Sequence, residues 1–320
     1  GRFPDRLKPI NIKADVDLSN DFPAIREINN EIRRLRLAAY APLRYVMHHK
    51  QADYDAKYST KVRGGTGYFR HMDREESLVH LLRVNVLKRM ESSVPSFALT
   101  LERQLTDVKH VLARIEDHDG TIEELSIHDV DIDDPAFESL LYGRKVKVLL
   151  QDMDLIRWRQ DLEEDRNRLA TLLSAARQIG PARDAKLEEL RNLIKSKCAV
   201  PLNDGNRKVL VLTAFADTAE YLYAQLAGWA QDTLGLHSAL VTGTGTNKTN
   251  LPGLRRDLGT ILTAFSPRSK ERAKEFSGEG ELDLLIATDC ISEGQNLQDC
   301  AVVVNYDLPH EPENFIHRVG

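Results

Sequence analysis

Cysteine is scarce in this 320-residue sequence, and the few cysteines are not spaced for a structural site. The three are Cys198, Cys290 and Cys300, and no two of them form a CxxC pair. This spacing argues against a disulfide framework and against a cysteine zinc site, and it suits a reducing compartment. We therefore predict no metal site and a cytoplasmic location.

Long apolar runs are also missing. No stretch approaches the roughly 20 apolar residues that a membrane-spanning helix needs, so we predict no membrane partner. The first residues, GRFPDRLKPINIK, have no apolar centre and are not predicted to be a signal peptide. The net charge of −5 argues against a uniformly basic nucleic-acid binder, although one basic face would be enough.

Two stretches that suggest ligand loops lack residues that such loops need. The GGTG run at 64–67 is not followed by the lysine and hydroxyl residue of a phosphate loop, so a flexible loop is the better interpretation. Residues 116–138 hold ten acidic residues and no lysine or arginine. They also lack the central glycine and closing glutamate of a calcium loop. We predict a mobile acidic surface loop there.

The first two hundred residues are predicted to be mainly helical. Alternating apolar residues at 10–18 suggest one strand, followed by a helix cap at 19–21 and a helix from 23 to about 45. Residues 72–115 fit one or two long helices, the second starting at Pro95. The helical pattern resumes from 142 to about 197 with a break at Gly180-Pro181, as in two antiparallel helices. A coiled-coil scaffold is the alternative for this middle region, although its heptads are imperfect.

A different pattern begins near residue 204, where short apolar runs alternate with amphipathic helices. Strands are predicted at 208–215, 237–241, 282–287 and 301–305, with helices at 218–232 and around 254–264. Continuous apolar runs of this length are typical of strands buried on both faces of a parallel sheet. The alternation predicts an α/β fold with right-handed connections, preceded by the helical region.

Polar residues follow the predicted strands. Thr213 and Phe215 end the first strand, Thr242-Gly243 the second, and Thr288 the third, before a polar turn at 289–296. In open parallel sheets, ligands bind outside the carboxyl ends of the strands. We therefore predict a binding site at this edge.

The same residues resemble a known family. ATDCISEGQNLQ, at 287–298, resembles motif V of superfamily-2 helicases, and NYDLP…FIHRVG, at 305–320, resembles the approach to motif VI. The sequence pattern SEGQNLQ-x-C-x-x-V-x-N-Y-D-L-P is most similar to that of the bacterial Swi/Snf-type (RapA-like) ATP-dependent DNA translocases. VLTAFADTAEYL, at 211–222, looks like motif IV, and residues 81–103 resemble the helical segment between the two motor lobes of these proteins.

The resemblance implies a motor of two RecA-like lobes, with ATP and Mg²⁺ in the cleft and DNA, expected to be duplex, across both. The first lobe would supply the phosphate loop and the acidic box, yet no GKT, GKS, DEAH or DEAD occurs here. We expect a segment leaving that absent lobe at 1–70, a helical insertion at 71–200 and the second lobe at 201–320, truncated inside motif VI. The expected partners are DNA and the N-terminal lobe, in the bacterial cytoplasm at the nucleoid.

Site residues follow from the resemblance, position by position. Thr288 matches the motif V threonine that contacts a backbone phosphate, a sequence-blind contact that suits a translocase. Thr213, Phe215, Thr242 and Gly243 are expected along the path of the nucleic acid.

The nucleotide side is implied in the same way. Gly294 would allow close approach of the backbone to the nucleotide, and Asn296 would lie near the ribose. Glu293 and Gln295 line the same turn. Arg318 matches the first arginine of motif VI, whereas the later arginine that stabilises transition-state charge would be residue 321. We expect the intact protein to hydrolyse ATP, and this chain alone to be inactive and to hold no nucleotide tightly.

Two other interpretations stay open. The chain could be a non-catalytic interaction module, in which a degenerate RecA-like lobe carries a helical arm for protein contacts. It could also belong to a nucleotide-sugar enzyme with a similar sheet, which the motif V string disfavours.

Overall fold

A computed structural model describes most of the chain. The described residues are 8–58, 60–61, 68–69, 71–118, 124–126, 146–203, 205–243, 245–270, 280–291 and 295–308. They form a mainly helical region followed by a five-stranded sheet with helices on its faces.

The helical region holds its helices along one core, with two small antiparallel ladders. Its helices are α1 (Ile25–Arg34), α2 (Gln51–Tyr58), α3 (His71–Ser92), α4 (Val94–Glu116) and α5 (Leu155–Arg177). The ladders pair β1 (Thr60–Lys61) with β2 (Tyr68–Phe69), and β3 (Glu124–Ser126) with β4 (Lys147–Leu149).

The break between α3 and α4 lies where the sequence predicts it. Ser93 has an extended backbone, and its hydroxyl accepts a hydrogen bond from the Ser96 amide, while Pro95 occupies the first turn of α4. A proline is tolerated there because the first-turn amides have no partner within the helix. The predicted second helix starting at Pro95 is confirmed, to within a residue.

Helices α4 and α5 pack side by side and run antiparallel. Arg159 pairs with Glu116 at one end, and Arg177 pairs with Glu102 at the other. Trp158 lies on α5 and is fully buried. It donates its indole N–H to the Ala38 carbonyl at 3.0 Å. One hydrophobic cluster runs through this region, from Ile28 to Ile179.

The sheet has the strand order β7-β6-β8-β5-β9. Its strands are β5 (Val209–Thr213), β6 (Ser238–Val241), β7 (Lys248–Thr249), β8 (Leu284–Thr288) and β9 (Val302–Asn305). β6, β8, β5 and β9 are parallel, and β7 is antiparallel to β6.

Helices cover both faces of the sheet. Helices α6 (Ala185–Ala199) and α7 (Ala216–Leu234) contribute to the core on one face, and α8 (Leu258–Phe265) contributes to the core on the other. The predicted α/β fold with flanking helices is therefore confirmed, and β5, β6 and β8 are buried along their whole length, as predicted.

Two predictions for residues 10–45 are wrong because buried aspartates, one local and one distant in sequence, bind this backbone. The expected strand at 10–18 is absent: buried Asp17 accepts the amides of Ser19, Asp21 and Phe22, which turns the chain. The expected cap at 19–21 is not the start of α1, which begins after Ala24.

The expected helix from 23 to about 45 ends at Arg34. Asp165, on α5, accepts the backbone amides of Arg36 and Ala38 at 2.7 and 2.8 Å, and Leu37 between them has φ 51°. A left-handed residue cannot continue an α-helix, so 3₁₀ turns follow instead.

One hydrophobic core includes residues from both sides of position 70 and another includes residues from both sides of position 200, where the domain boundaries stay predictions. Residues on both sides of 70 share the cluster from Ile28 to Ile179. Leu187, Leu190 and Ile194 of α6 instead pack in the core of the sheet, so α6 is not an antiparallel partner within the helical core.

The end strands of the sheet also differ from expectation. β9 was predicted as a buried strand, but it is partly exposed at the edge, with Val303 43% exposed. No strand was predicted between 242 and 250, yet β7 lies in this segment. Among the described residues, none of the helices combines the length and apolarity that crossing a bilayer requires.

Candidate nucleic-acid and nucleotide interface

Three threonines lie in a row at the carboxyl edge of the sheet. Thr213 and Thr288 are partners in the β5–β8 ladder. Val241 pairs with Ala287, so Thr242 follows at the level of Thr288. The strand endings that the sequence predicted as a binding edge are thus neighbours in space.

The β5 end of this row is covered by the elbow, which we define as Ser92 and Ser93 between α3 and α4. The Ser92 hydroxyl donates to Asp307, which follows β9, and it shares a hydrogen bond of 2.8 Å with Thr218. Ser93 also bonds Thr218, at 2.9 Å. The elbow therefore connects to two separate segments of the sheet region.

Asp307 is the centre of this junction. Its carboxylate accepts the Ser92 hydroxyl, the Thr213 hydroxyl and, at 2.8 Å, the Ala214 amide. It thereby ties the end of α3 to the end of β5.

Thr213 and Phe215 are inside this junction and not on a surface. Thr213 is 0% exposed and Phe215 is 2% exposed. The Arg89 guanidinium covers the Phe215 ring at 4.9 Å and pairs with Asp217 at 2.7 Å. Neither side chain is open to solvent in this conformation, and the expectation that they lie along the path of the nucleic acid stays a prediction.

Lys186, at the start of α6, closes the junction from the sheet side. Its ammonium donates to the carbonyls of Glu91 and Ser92 at 2.7 and 2.9 Å and lies 4.1 Å from the centre of the Tyr306 ring. A cation at the carboxyl end of a helix is favourable because the last carbonyls have no partner within the helix. Burial lowers the pKa of Lys186, whereas Asp307, Asp184 and Glu91 oppose that change.

The other part of the row is open. Gly243 and Cys290 are exposed, and they are close: a methyl group on Gly243 would lie 3.3 Å from the Cys290 Cβ. Thr242 is 6% exposed and Thr288 is 8% exposed, so each lies just beneath this surface.

The Thr288 hydroxyl has a weak partner. It donates to the Cys290 sulfur at 3.3 Å, and a thiol is a poor acceptor. A phosphate oxygen is a stronger acceptor for the same hydrogen, because hydrogen bonds to charged groups are stronger than those to neutral ones. The Thr242 hydroxyl, in contrast, accepts the Gly245 amide at 3.1 Å and shapes the neighbouring turn.

The predicted nucleotide side is described only in part. Gln295 and Asn296 are exposed, and Gln295 accepts a hydrogen bond of 2.8 Å from Lys270. Glu293, Gly294 and Arg318 lie outside the described residues.

The exposed amide side chains of Gln295 and Asn296 fit hydrogen bonding to a ribose or phosphate group. The described ranges contain no cluster of three or more His, Cys, Asp or Glu side chains that could hold a metal ion.

Reasoning from the sequence missed the junction residues Ser92, Lys186 and Asp307. Asp307 is part of the NYDLP string, but nothing in that string shows what its carboxylate binds. Ser92 and Asp307 are 215 positions apart, and no local pattern predicts a contact at that separation. The only local signal was the helix break at Ser93-Val94-Pro95.

The region that contains the sheet is similar to known proteins. Residues 185–320 match the family described as the helicase conserved C-terminal domain. The ATP-dependent RNA helicase RhlB of Shewanella sediminis is 43% identical over 61 residues, which are 19% of this chain and 14% of that protein. The DEAD-box ATP-dependent RNA helicase 35A of Oryza sativa subsp. japonica is 47% identical over 51 residues, which are 16% of this chain and 8% of that protein.

A solved structure, the Pyrococcus furiosus Hef helicase domain, aligns with a TM-score of 0.46 at 14% identity over 92% of this chain and 49% of that one. The chain spans only a small part of the length of these two curated RNA helicases. Its matched region begins at the same helix, α6, that packs into the core of the sheet. Residues 185–320, which include the whole sheet, are therefore similar to the helicase conserved C-terminal domain.

Proposed function

We propose that this chain is part of an ATP-dependent motor that moves along duplex DNA, of the Swi/Snf type. The sheet region would be the second motor lobe, which contacts the nucleic acid and the nucleotide. ATP and Mg²⁺ would be held together with an N-terminal lobe, and the chain alone would hold neither tightly. The observation that carries this proposal is the open surface at Gly243 and Cys290 on the carboxyl edge of the sheet, with Thr242 and Thr288 just beneath it.

The chemistry of that surface suits a translocase. A hydroxyl group binds the phosphate backbone without reading the bases, so the protein can move past any sequence. Close approach of a backbone or phosphate is possible at Gly243 because no side chain projects there. Domain closure over ATP and reopening after hydrolysis would then move this surface relative to the other lobe.

The helical region supports the Swi/Snf type. The string at 81–103 that resembles the helical segment of those translocases forms α3 and α4, and their elbow is bonded to the lobe. The proposed location is the bacterial cytoplasm, at the nucleoid.

RNA is the second candidate substrate. It is favoured by the similar proteins, whose names describe them as RNA helicases. Both candidates use the same backbone contacts, so the substrate has to be determined by direct comparison.

The test is binding of labelled 20-base-pair DNA and RNA duplexes by the chain, over a range of salt concentrations. We expect Thr288→Ala to weaken DNA binding about tenfold or more, the loss of roughly one hydrogen bond to a charged group. Thr171→Ala is the matched control, because that exposed hydroxyl bonds only the Asn167 carbonyl of its own helix.

Equal DNA affinity for Thr288→Ala and Thr171→Ala would remove the assignment of Thr288. Tighter binding to RNA than to DNA, with the same dependence on Thr288, would replace DNA by RNA as the substrate.

A further inference from the structure

A groove of about 790 Å³ lies in the helical region, apart from the edge of the sheet. Its walls are residues 44–49, Gln51 and residues 153–157, where α5 begins. We propose that this groove binds a single-stranded segment of nucleic acid. The inference rests on the proposed nucleic-acid function and names a second binding site for it.

The frame of the groove is fixed by backbone hydrogen bonds. Val46 and Met153 form an antiparallel bridge, the Met47 amide donates to the Asp152 carbonyl at 2.9 Å, and the Asp154 amide donates to the Tyr45 carbonyl at 2.7 Å. Tyr45 in turn stacks on buried Trp158, with ring centres 5.7 Å apart. The groove is thus preformed, which lowers the entropic cost of binding a ligand.

Cationic groups line the groove and can face a phosphate. Arg157 is exposed, with its guanidinium over the Tyr45 ring at 5.6 Å, and Arg44 makes a long 3.8 Å contact with Glu76. Asp154 is the single carboxylate among the lining residues, and it is engaged as the cap of α5, accepting the Arg157 amide at 3.1 Å.

Flat and apolar groups beside these cations suit an unpaired base. His48 and His49 are exposed in the 3₁₀ turn after Met47, and Ile156 is 85% exposed, although it is a large apolar residue. Unpaired bases pack their faces on aromatic and apolar side chains, while arginines bind the adjacent phosphates. A stacked duplex hides those faces, so this combination favours a single strand.

The groove is well separated from the edge of the sheet. Leu43 and Arg44 contact α3 at Glu75 and Glu76, whereas the elbow is at Ser92. Sixteen residues of helix correspond to about 24 Å. A strand that reaches both places must therefore span about 24 Å.

The experiment compares two labelled DNA probes, a blunt 20-base-pair duplex and the same duplex with a 15-nucleotide single-stranded tail. We expect Arg157→Gln to weaken binding of the tailed probe about threefold, to lower its salt slope by about 0.7 and to leave the blunt duplex unchanged. Ile156→Ser should weaken only the tailed probe as well. Arg159→Gln is the control, because that arginine lies on the same helix and pairs with Glu116 and Glu163.

Tailed-probe affinity equal to wild type in both Arg157→Gln and Ile156→Ser would overturn the proposal. The proposal would also fail if a labelled decaglutamate peptide bound through Arg157 while binding of the tailed probe did not depend on Arg157. The groove would then fit an acidic protein. Thr288→Ala separates the two proposals. If it leaves the blunt duplex unaffected while Arg157→Gln weakens the tail, the groove stands and the assignment of the sheet edge fails.

Discussion

At the scale of single residues, buried carboxyl groups hold the helical region together, and they do so in different charge states. The Asp17 carboxylate accepts five hydrogen bonds, two of them from the Arg183 guanidinium. The Arg183 guanidinium holds the pKa of this carboxyl well below its usual range. Glu75 is the opposite case, because one of its oxygens has no hydrogen-bond partner. Burial raises the pKa of Glu75 to about 8.

The raised pKa of Glu75 predicts a pH-dependent stability. From about pH 4.5 to 8 the unfolded chain loses this proton and the folded chain keeps it. The folded state therefore binds more protons, and its free energy of unfolding falls as the pH rises. Glu75→Gln has no proton to lose, so its stability relative to wild type should increase by about 2 to 4 kcal/mol across this window.

Urea unfolding at pH 5 and pH 8 measures this difference. Glu76→Gln is the control, because the Glu76 side chain is next to Glu75 in the sequence and is 69% exposed. Parallel pH profiles for Glu75→Gln and wild type would show that Glu75 is ionised in the folded protein.

At the scale of elements, the sequence predicted those whose pattern is local. The apolar runs of β5, β6 and β8 are continuous because both faces of these strands are buried. The break before Pro95 was predictable because proline acts on its own helix.

Elements that depend on distant partners were not predicted. The chain after Arg34 has helical periodicity, but Asp165 binds two of its amides from about 130 positions away. The candidate site divides in the same way. The row of strand ends followed from strand alternation, whereas burial of Thr213 and Phe215 depends on an elbow that is far away in sequence.

The elbow is the element whose loss should be most informative. Ser92→Ala removes the hydroxyl that bonds Asp307 and Thr218 and leaves a partly buried carboxylate with one donor fewer. We expect a loss of about 1 to 3 kcal/mol in the free energy of unfolding, measured by urea denaturation. Ser196→Ala is the control, because that exposed hydroxyl bonds only the nearby Leu193 carbonyl. Equal losses in the two variants would mean that the elbow contributes no specific stability.

At the scale of the whole molecule, the core of the helical region and the core on the α6 face of the sheet are connected through a polar junction. The helical core ends at Ile179, and the core of the sheet begins at Leu187 on α6. Between them, Asp307 and Lys186 bind opposite sides of the elbow. These bonds are partly buried, so leaving them unmade has a cost, and the two cores should open together.

This coupling can be measured by hydrogen exchange resolved on peptides, at increasing urea concentration below the unfolding transition. In the wild type, we expect amides in α5 and in β5 to report the same free energy for their slowest opening, because one cooperative unit contains both. The double variant Ser92→Ala/Lys186→Met removes bonds on both sides of the elbow while it keeps the helices capped at Ser93 and Asp184. The free energies of α5 and β5 should then separate by about 1 kcal/mol or more. Ser196→Ala/Lys197→Met makes the same chemical changes on α6 away from the junction and should leave them equal. Separate values already in the wild type, or equal values in the double variant, would show that the helical region and the lobe are not mechanically coupled through the elbow.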